Sequence, residues 1–308
     1  MSNFQHISVL LNEAIDALNI QSTGVYVDGT FGRGGHSSEI LKRLESGRLI
    51  SIDRDPTAKQ CAEERFKGQT NFTFYAGCMS EIKDAIATAN VELVDGVLLD
   101  IGVSSPQLDD AERGFSFMKD GPLDMRMNPE AGVSAADWIA ESSFETMASV
   151  FREFGEERFA GKIANHIIKS RAITPITTTH QLAEIVTEAV PYKDKHKHPA
   201  TRVFQAIRIA VNEELTELSK TLEAAYSILK PGGRLVVISF HSLEDRIVKN
   251  FMNNYAKPKD LMPDLPVAQF VEAPTLKLIG KPVKASDDES LNNPRARSAI
   301  MRIAEKLP

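Results

Sequence analysis

Twelve residues, Val25-Tyr-Val-Asp-Gly-Thr-Phe-Gly-Arg-Gly-Gly-His36, constrain this chain more than any other stretch. The β-branched and aromatic run Val25 to Val27 predicts a buried strand. Asp28 follows at once, then four glycines in seven positions: Gly29, Gly32, Gly34 and Gly35. Ser37 to Leu44 then carries the apolar spacing of a helix. Strand, glycine-rich turn and helix form the entry to a nucleotide-type site, because glycine lets the backbone take positive φ and approach a ligand closely.

The order within the turn narrows the ligand. The dinucleotide fingerprint G-x-G-x-x-G is absent, and an acid stands ahead of the glycines. A carboxylate there repels pyrophosphate but can help hold a cation. S-adenosylmethionine carries an ammonium and a sulfonium and no phosphate, so it fits this turn; another nucleotide or a structural turn remain alternatives. Arg48 to Asp53 predicts the second strand, again closed by an acid. An acid at that point, about twenty residues beyond the glycines, suits ribose hydroxyls. The plainer reading of Asp53 is a loop acid, or a cap for a helix from Thr57 onward.

Phe72 to Tyr75 and Asp95 to Asp100 predict two more strands, the latter closed by a third acid. Strands alternating with helices predict a parallel α/β sheet with helices on both faces, and ligands then sit beyond the carboxyl ends of the strands. Asp28, Asp53 and Asp100 are expected at that edge, and a residue of the turn Gly77-Cys-Met-Ser80, after the third strand, against an adenine ring. From Ile101 to about Asn212 no strand pattern appears. Loop-like stretches rich in Gly, Ser and Pro give way to helical patterns at Ala135 to Ala140, Phe144 to Phe154, Glu156 to Ile168 and Thr178 to Ala189. Thr178 and Gln181 form a capping box for the last. A long helical pattern from Pro199, one helix or two end to end, runs to Lys230-Pro-Gly-Gly233. Strands are predicted from Arg234 to Ser239, Leu276 to Ile279 and Ser298 to Ile303, with a helix from Leu243 to Met252. The expected architecture is a discontinuous sheet domain, residues 1–107 and 213–308, with an all-helical insertion at 108–212.

Composition removes other classes. The chain has 308 residues, of which 42% are hydrophobic and 25% charged, so an ordinary packed core is within reach. There is no apolar run of membrane-spanning length and no basic-apolar leader at the start, so a cytoplasmic protein is expected. Two cysteines without a CxxC pair exclude a disulfide scaffold and a cysteine zinc site. No metal is expected, since His196-Lys-His198 lacks a third ligand at useful spacing. The net charge of −6 argues against indiscriminate nucleic-acid binding. One segment runs the other way: residues 191–210 set Lys193, Lys195, Lys197, Arg202 and Arg208 against Asp194 alone. That is a candidate phosphate-contact surface, with a solvated basic loop as the alternative.

Taken together, the motifs resemble a known family. They are His6 with Val9-Leu-Leu-Asn-Glu13, Asp28-Gly-Thr-Phe-Gly-Arg-Gly-Gly-His-Ser37, Asp53-Arg-Asp-Pro56, Leu99-Asp-Ile-Gly-Val-Ser-Ser-Pro-Gln-Leu108, Arg113-Gly-Phe-Ser-Phe117 and Gly121-Pro-Leu-Asp-Met-Arg-Met127. Gly155-Glu-Glu-Arg-Phe159, His198-Pro-Ala-Thr-Arg202, Ser239-Phe-His-Ser-Leu-Glu-Asp-Arg246 and Asn293-Pro-Arg-Ala-Arg297 complete them. The chain resembles, nearly end to end, the ribosomal RNA small subunit methyltransferase H family, bacterial enzymes that methylate N4 of a decoding-centre cytidine in 16S rRNA. The resemblance implies a Rossmann-like S-adenosylmethionine-dependent methyltransferase fold with an inserted helical domain, and the small ribosomal subunit as partner. On matching positions it assigns cofactor contacts to Gly34, Gly35, His36, Asp53, Asp100 and Gln107. A further contact falls on Met79, where relatives often carry Phe; Met also packs against a flat ring.

Methyl transfer to a cytosine amine needs an acceptor group beside the methyl, because the amine shares its lone pair with the ring. Asp100 is the catalytic candidate: it holds the donor, orients the amine, or caps a turn. Phe115, Phe117 or Phe240 can stack on a splayed base. His241 faces the pocket or is a hydrogen-bonded structural residue.

Overall fold

The computed structural model describes residues 8–191, 198–260 and 271–308, and the chain divides into two compact units. The first comprises residues 1–102 and 215–308, the second 103–214. The sequence expectation set these boundaries at 107/108 and 212/213.

In the first unit the helix α1 (Leu11–Ala17) precedes β1 (Val25–Asp28), α2 (Gly35–Leu41), β2 (Arg48–Asp53), α3 (Pro56–Arg65) and β3 (Phe72–Ala76). Next come α4 (Ile82–Thr88) and β4 (Val94–Asp100). The second unit holds α5 (Ser105–Asp109), α6 (Ala135–Glu141), α7 (Phe144–Glu153), α8 (Ala160–Arg171), α9 (Thr179–Ala189) and α10 (Ala200–Val211). The chain then continues through α11 (Glu214–Ile228), β5 (Leu229–Ser239) and α12 (Ser242–Ala256). Two short strands, β6 (Lys259–Asp260) and β7 (Val271–Glu272), pair with each other. Last are β8 (Leu276–Leu278), β9 (Val283–Lys284), α13 (Asp287–Asn292) and β10 (Ile300–Lys306).

The main sheet runs β3-β2-β1-β4-β5-β10-β8, with β9 also on β10. The pairs from β3 to β5 are parallel, and β10 enters antiparallel to β5. This is an α/β, Rossmann-like sheet. Alternation along each strand sorts its side chains to two cores. Val27, Ile50, Ile52, Val97, Leu99, Leu235 and Val237 share one cluster with residues of α4, α11 and α12. Tyr26, Leu49, Leu98, Val236 and Ile238 share another with residues of α1 and α2. Because both faces are covered, the central strands read as continuous apolar runs, not alternating ones. Each fully buried Leu or Ile contributes about 1.5–3 kcal/mol.

The chain order reverses at β1, whose neighbours are β2 on one side and β4 on the other. That reversal is where an open α/β sheet leaves a crevice outside its carboxyl ends.

Several boundaries differ from the sequence reading for local reasons. The strand expected from Arg234 is assigned from Leu229, with a register shift between Val94 and Gly96 on its neighbour that accommodates Pro231 and the glycines. The helix expected from Glu156 starts at Ala160, because Glu156 sits at φ 49° and the Glu157 carboxylate accepts from Phe159 N at 2.8 Å. The long pattern from Pro199 is two helices, parted where Glu213 takes φ 51°. The stretch read as loop before Met127 contains α5, which opens with a capping box of Ser104 and Gln107.

The helical unit has its own core of Leu123, Met125, Ile139, Met147, Phe151, Ile163, Ile167, Leu182, Val186, Val203, Phe204 and Ile207, all buried. The Thr178–Gln181 capping box is formed at the start of α9.

Candidate active site

The carboxyl ends of β1, β2 and β4 present Asp28, Asp53 and Asp100, as the strand pattern predicts. Their environments give them different work.

Asp28 faces inward and is 1% exposed. Ser37 Oγ donates to its Oδ2 at 2.6 Å, and Thr30 N donates to its Oδ1 at 3.2 Å. Ser37 Oγ also lies 2.9 Å from Ser51 Oγ. Burial pushes the Asp28 carboxyl up to about 6, against the pull of the Ser37 hydroxyl. These bonds tie the end of β1 and the glycine loop to α2. The sequence signal for this was Ser37, a hydroxyl in the first turn of the following helix.

Asp53 stands at the loop's other side. Its Oδ2 accepts from Gly32 N at 2.7 Å and its Oδ1 from Asp55 N at 2.9 Å. Burial raises its carboxyl above the usual range, and these two backbone donors pull it back. The helix cap is Asp55, which accepts from Thr57 N. Each Asp53 oxygen keeps a second lone pair, so ribose hydroxyls can still donate to it.

Between them the glycine loop is shaped by packing. Gly34 has φ 71°, and a Cβ there would meet the Phe31 and Phe66 rings at 2.8 and 2.9 Å. Gly32 has φ 55° with open space where a Cβ would stand, so the backbone is approachable there. Arg33 donates from its guanidinium to Thr57 O at 2.8 Å, fastening the loop tip to α3.

Asp100 is held by its backbone, whose N–H donates to Thr30 Oγ1 at 2.6 Å. Its Oδ2 lies 3.6 Å from His36 Nδ1. Its Oδ1 is buried and has no hydrogen-bond partner among the described residues. Burial pushes this carboxyl well above the ordinary carboxylate range; the negative charges of Asp28 and Glu244 add to that, and Arg295 opposes them. A buried carboxylate oxygen without a donor is costly unless something arrives to satisfy it. Together with the open loop at Gly32 and the remaining lone pairs of Asp53, this oxygen fits a cationic ligand that carries a ribose.

The MraW methylase family matches residues 3–307, almost the entire chain. The chain belongs to that family. It is 53% identical over 310 residues to the ribosomal RNA small subunit methyltransferase H of Alteromonas mediterranea, covering 99% of each chain. The protein of that name from Thioalkalivibrio sulfidiphilus is 52% identical over 307 residues, covering 98% of this chain and 97% of its own. Among solved structures, an rRNA methylase from Streptococcus thermophilus aligns over 98% of this chain and 99% of its own at 10% identity and a TM-score of 0.44, too distant to bear on function.

In this MraW methylase-family chain the remaining predicted residues are placed as follows. Gly34 precedes α2 and Gly35 and His36 open it; the His36 side chain is buried, with Nε2 3.2 Å from Val9 O. Met79 is half-buried in a 3-10 turn after β3. Gln107 lies in the second unit, buried, its Oε1 accepting from Ser104 N at 2.8 Å. Lys193, Lys195 and Lys197 lie outside the described residues. Arg202 is exposed and donates to Glu156 O, whereas Arg208 is half-buried and holds Glu214 through two bonds of 2.8 and 2.9 Å. The expected phosphate role of Arg208 thus competes with a packing role that the sequence did not reveal.

Among the aromatic candidates, Phe115 is buried with Arg113 over its ring, which removes it as an exposed stacking surface. Phe117 is half-buried, with His198 and Phe204 rings 4.7 and 4.9 Å away. His241 is the N-cap of α12: its ring accepts from Glu244 N, and its Nε2 lies 2.9 Å from Glu244 Oε1. The hydrogen-bonded structural reading of His241 is the one its geometry supports. Thr30 was missed altogether; it joins the Asp28 loop to the Asp100 backbone.

Proposed function

We propose that this chain transfers the methyl group of S-adenosylmethionine to the exocyclic N4 of a cytidine in the decoding centre of 16S ribosomal RNA, within the small ribosomal subunit. Family membership and whole-length relatives named ribosomal RNA small subunit methyltransferase H support the reaction class. The observation that carries the site is the buried Oδ1 of Asp100, without a hydrogen-bond partner among the described residues, at the β1–β4 crevice.

When bound, S-adenosylmethionine supplies a methyl group made electrophilic by the sulfonium. The chain's own residues do the rest. Asp53 would receive ribose hydroxyls, Gly32, Gly34, Gly35 and His36 would hold the ligand from the glycine loop, and Met79 would pack on a flat ring. Asp100 stands where its carboxylate can oppose the donor's positive charge or accept an N–H of the cytosine amine. Accepting that N–H lets the nitrogen lone pair leave conjugation with the ring, an electrostatic assistance that needs no strong base. Alignment contributes as well, since a fixed near-attack geometry removes much of the entropic barrier. Gln107 belongs to the same family pattern. Arg202, with Lys193, Lys195 and Lys197, supplies cations for the RNA phosphates, and the work is placed in the cytoplasm with the ribosome.

The test is transfer of labelled methyl from S-adenosylmethionine to small subunits isolated from a strain lacking the enzyme, followed by mass mapping of the rRNA. N4-methylation of one decoding-centre cytidine is expected. Binding to the subunit without any transfer would favour a non-catalytic assembly factor instead, and label on another base or molecule would refute the specificity.

A further inference from the structure

The contact between His36 and Asp100 has a chemical consequence that turns on where one proton sits. Val9 O can only accept a hydrogen bond, so the proton of a neutral His36 ring is on Nε2, 3.2 Å from that oxygen. Nδ1 then carries a lone pair, and it faces Asp100 Oδ2 at 3.6 Å. Both groups are pinned: His36 by the first turn of α2 and the Val9 segment, Asp100 by the end of β4 and the Thr30 hydroxyl. A lone-pair nitrogen and a carboxylate oxygen held this close repel unless the pair carries one proton.

The surroundings favour that proton. Asp28 on β1 and Glu244 on α12 bear on Asp100 with like charge, and Arg295, in the turn before β10, is the cation that opposes them. Burial acts in the same direction as the two acids. A bound cation reverses the balance, because it does for the carboxylate what the proton did.

We propose that His36 and Asp100 form a couple that carries one proton while the methyl donor is absent and yields it to solvent when the donor binds. Donor binding is then an exchange of one cation for another. The N–H or O–H bond of the couple breaks, its electron pair stays on the nitrogen or oxygen, and the proton passes to water or buffer; nothing is oxidised or reduced. His36 acts through Asp100 and is a positioning residue in this scheme. The inference rests on the reading of this crevice as the S-adenosylmethionine site.

The test is calorimetry of S-adenosylmethionine binding to the full chain in buffers of differing ionisation enthalpy, across a pH series. Close to one proton released per donor is expected below the couple's midpoint and none above it, with affinity weakening about tenfold per pH unit on the acid side. 5′-Methylthioadenosine, which has neither ammonium nor sulfonium, should bind with no release. Asp100→Asn should bind the donor more weakly but without the linked proton, and His36→Asn should lower the midpoint, which a purely structural histidine would not do. If wild-type protein binds the donor with no proton release at any pH, the couple is refuted while the cofactor site stands. If Asp100→Asn releases as the wild type does, the proton comes from Asp28 or Asp53 and the assignment is overturned. If the donor does not bind at all, the reading of the site falls, and this inference with it.

Discussion

The sheet unit and the helical unit both bury polar side chains, but they satisfy them differently. In the helical unit Asn212, 5% exposed, uses every side of its amide: Nδ2 donates to Met125 O at 2.7 Å and Arg208 O at 2.9 Å, and Oδ1 accepts from Met127 N at 2.8 Å. Arg208 and Glu214 close on each other in the same way. These groups fasten the loop ending at Met127 to the end of α10. In the sheet unit Asp28 is satisfied likewise, but Asp100, at the end of the adjacent strand, keeps a buried oxygen with no described partner. Saturated groups such as Asn212 and Asp28 hold the fold, whereas a strand-end carboxylate oxygen with no described partner is where a ligand can be received.

That contrast can be broken at Asp100 first. Asp100→Ala should lower methyl transfer by about two to three orders of magnitude, the scale of losing one charge-stabilising group. Its thermal midpoint should hold or rise, because an unsatisfied buried carboxylate is removed. A fall in stability equal to the fall in activity would place Asp100 with the saturated groups.

Asp28 sharpens the other side. Its carboxyl is raised from 3.8 to about 6 in the folded state. The native state therefore binds more protons than the unfolded state between those values, so this group's contribution is present below the lower one and is lost as pH rises through the upper. The loss amounts to about 3 kcal/mol at most. Asp28→Asn should remove this slope from the variant's urea stability, so that the difference between variant and wild type varies with pH across this window; a slope unchanged in the variant would assign the titration elsewhere.

Asn212→Ala removes the side-chain bonds to Met127 N, Met125 O and Arg208 O, the last of which still accepts from the backbone N–H of residue 212. A destabilisation of about 1–3 kcal/mol is expected, seen by hydrogen exchange as loss of protection in α10 and the loop ending at Met127. Equal loss in β1 and β4 would show that the two units do not unfold separately.

The smallest effect belongs to Arg202. Among the described residues its exposed guanidinium bonds to a backbone carbonyl, so Arg202→Ala should leave stability within about 0.5 kcal/mol. It should reduce the salt dependence of binding to ribosomal RNA by about one counterion. No change in that dependence would remove Arg202 from the RNA surface.

Much of the site could be read before the structure. Asp53 and Asp100 stand at strand ends because apolar runs ended in acids, and strand ends in a parallel sheet share an edge. Met79 falls in the turn after β3 for the same reason. The roles of Asp28, Thr30, Arg208 and His241 were not readable. Each depends on a partner whose bond is set by packing or by the exact turn: Ser37 on Asp28, Thr30 on Asp100, Glu214 on Arg208, Glu244 on His241. Phe115 and Phe117 are two residues apart and looked alike, yet one is buried and the other half-buried.

The order of β1 to β5, the helical stretch between β4 and β5, and the three acids followed from the chain alone, since periodicity and strand-terminating residues are local properties. Which acid turns inward and which keeps an open oxygen was decided by tertiary structure. Burial and hydrogen-bond saturation depend on side chains brought together from distant positions, such as Ser37 beside Asp28 and His36 beside Asp100, and no pattern along one strand encodes them.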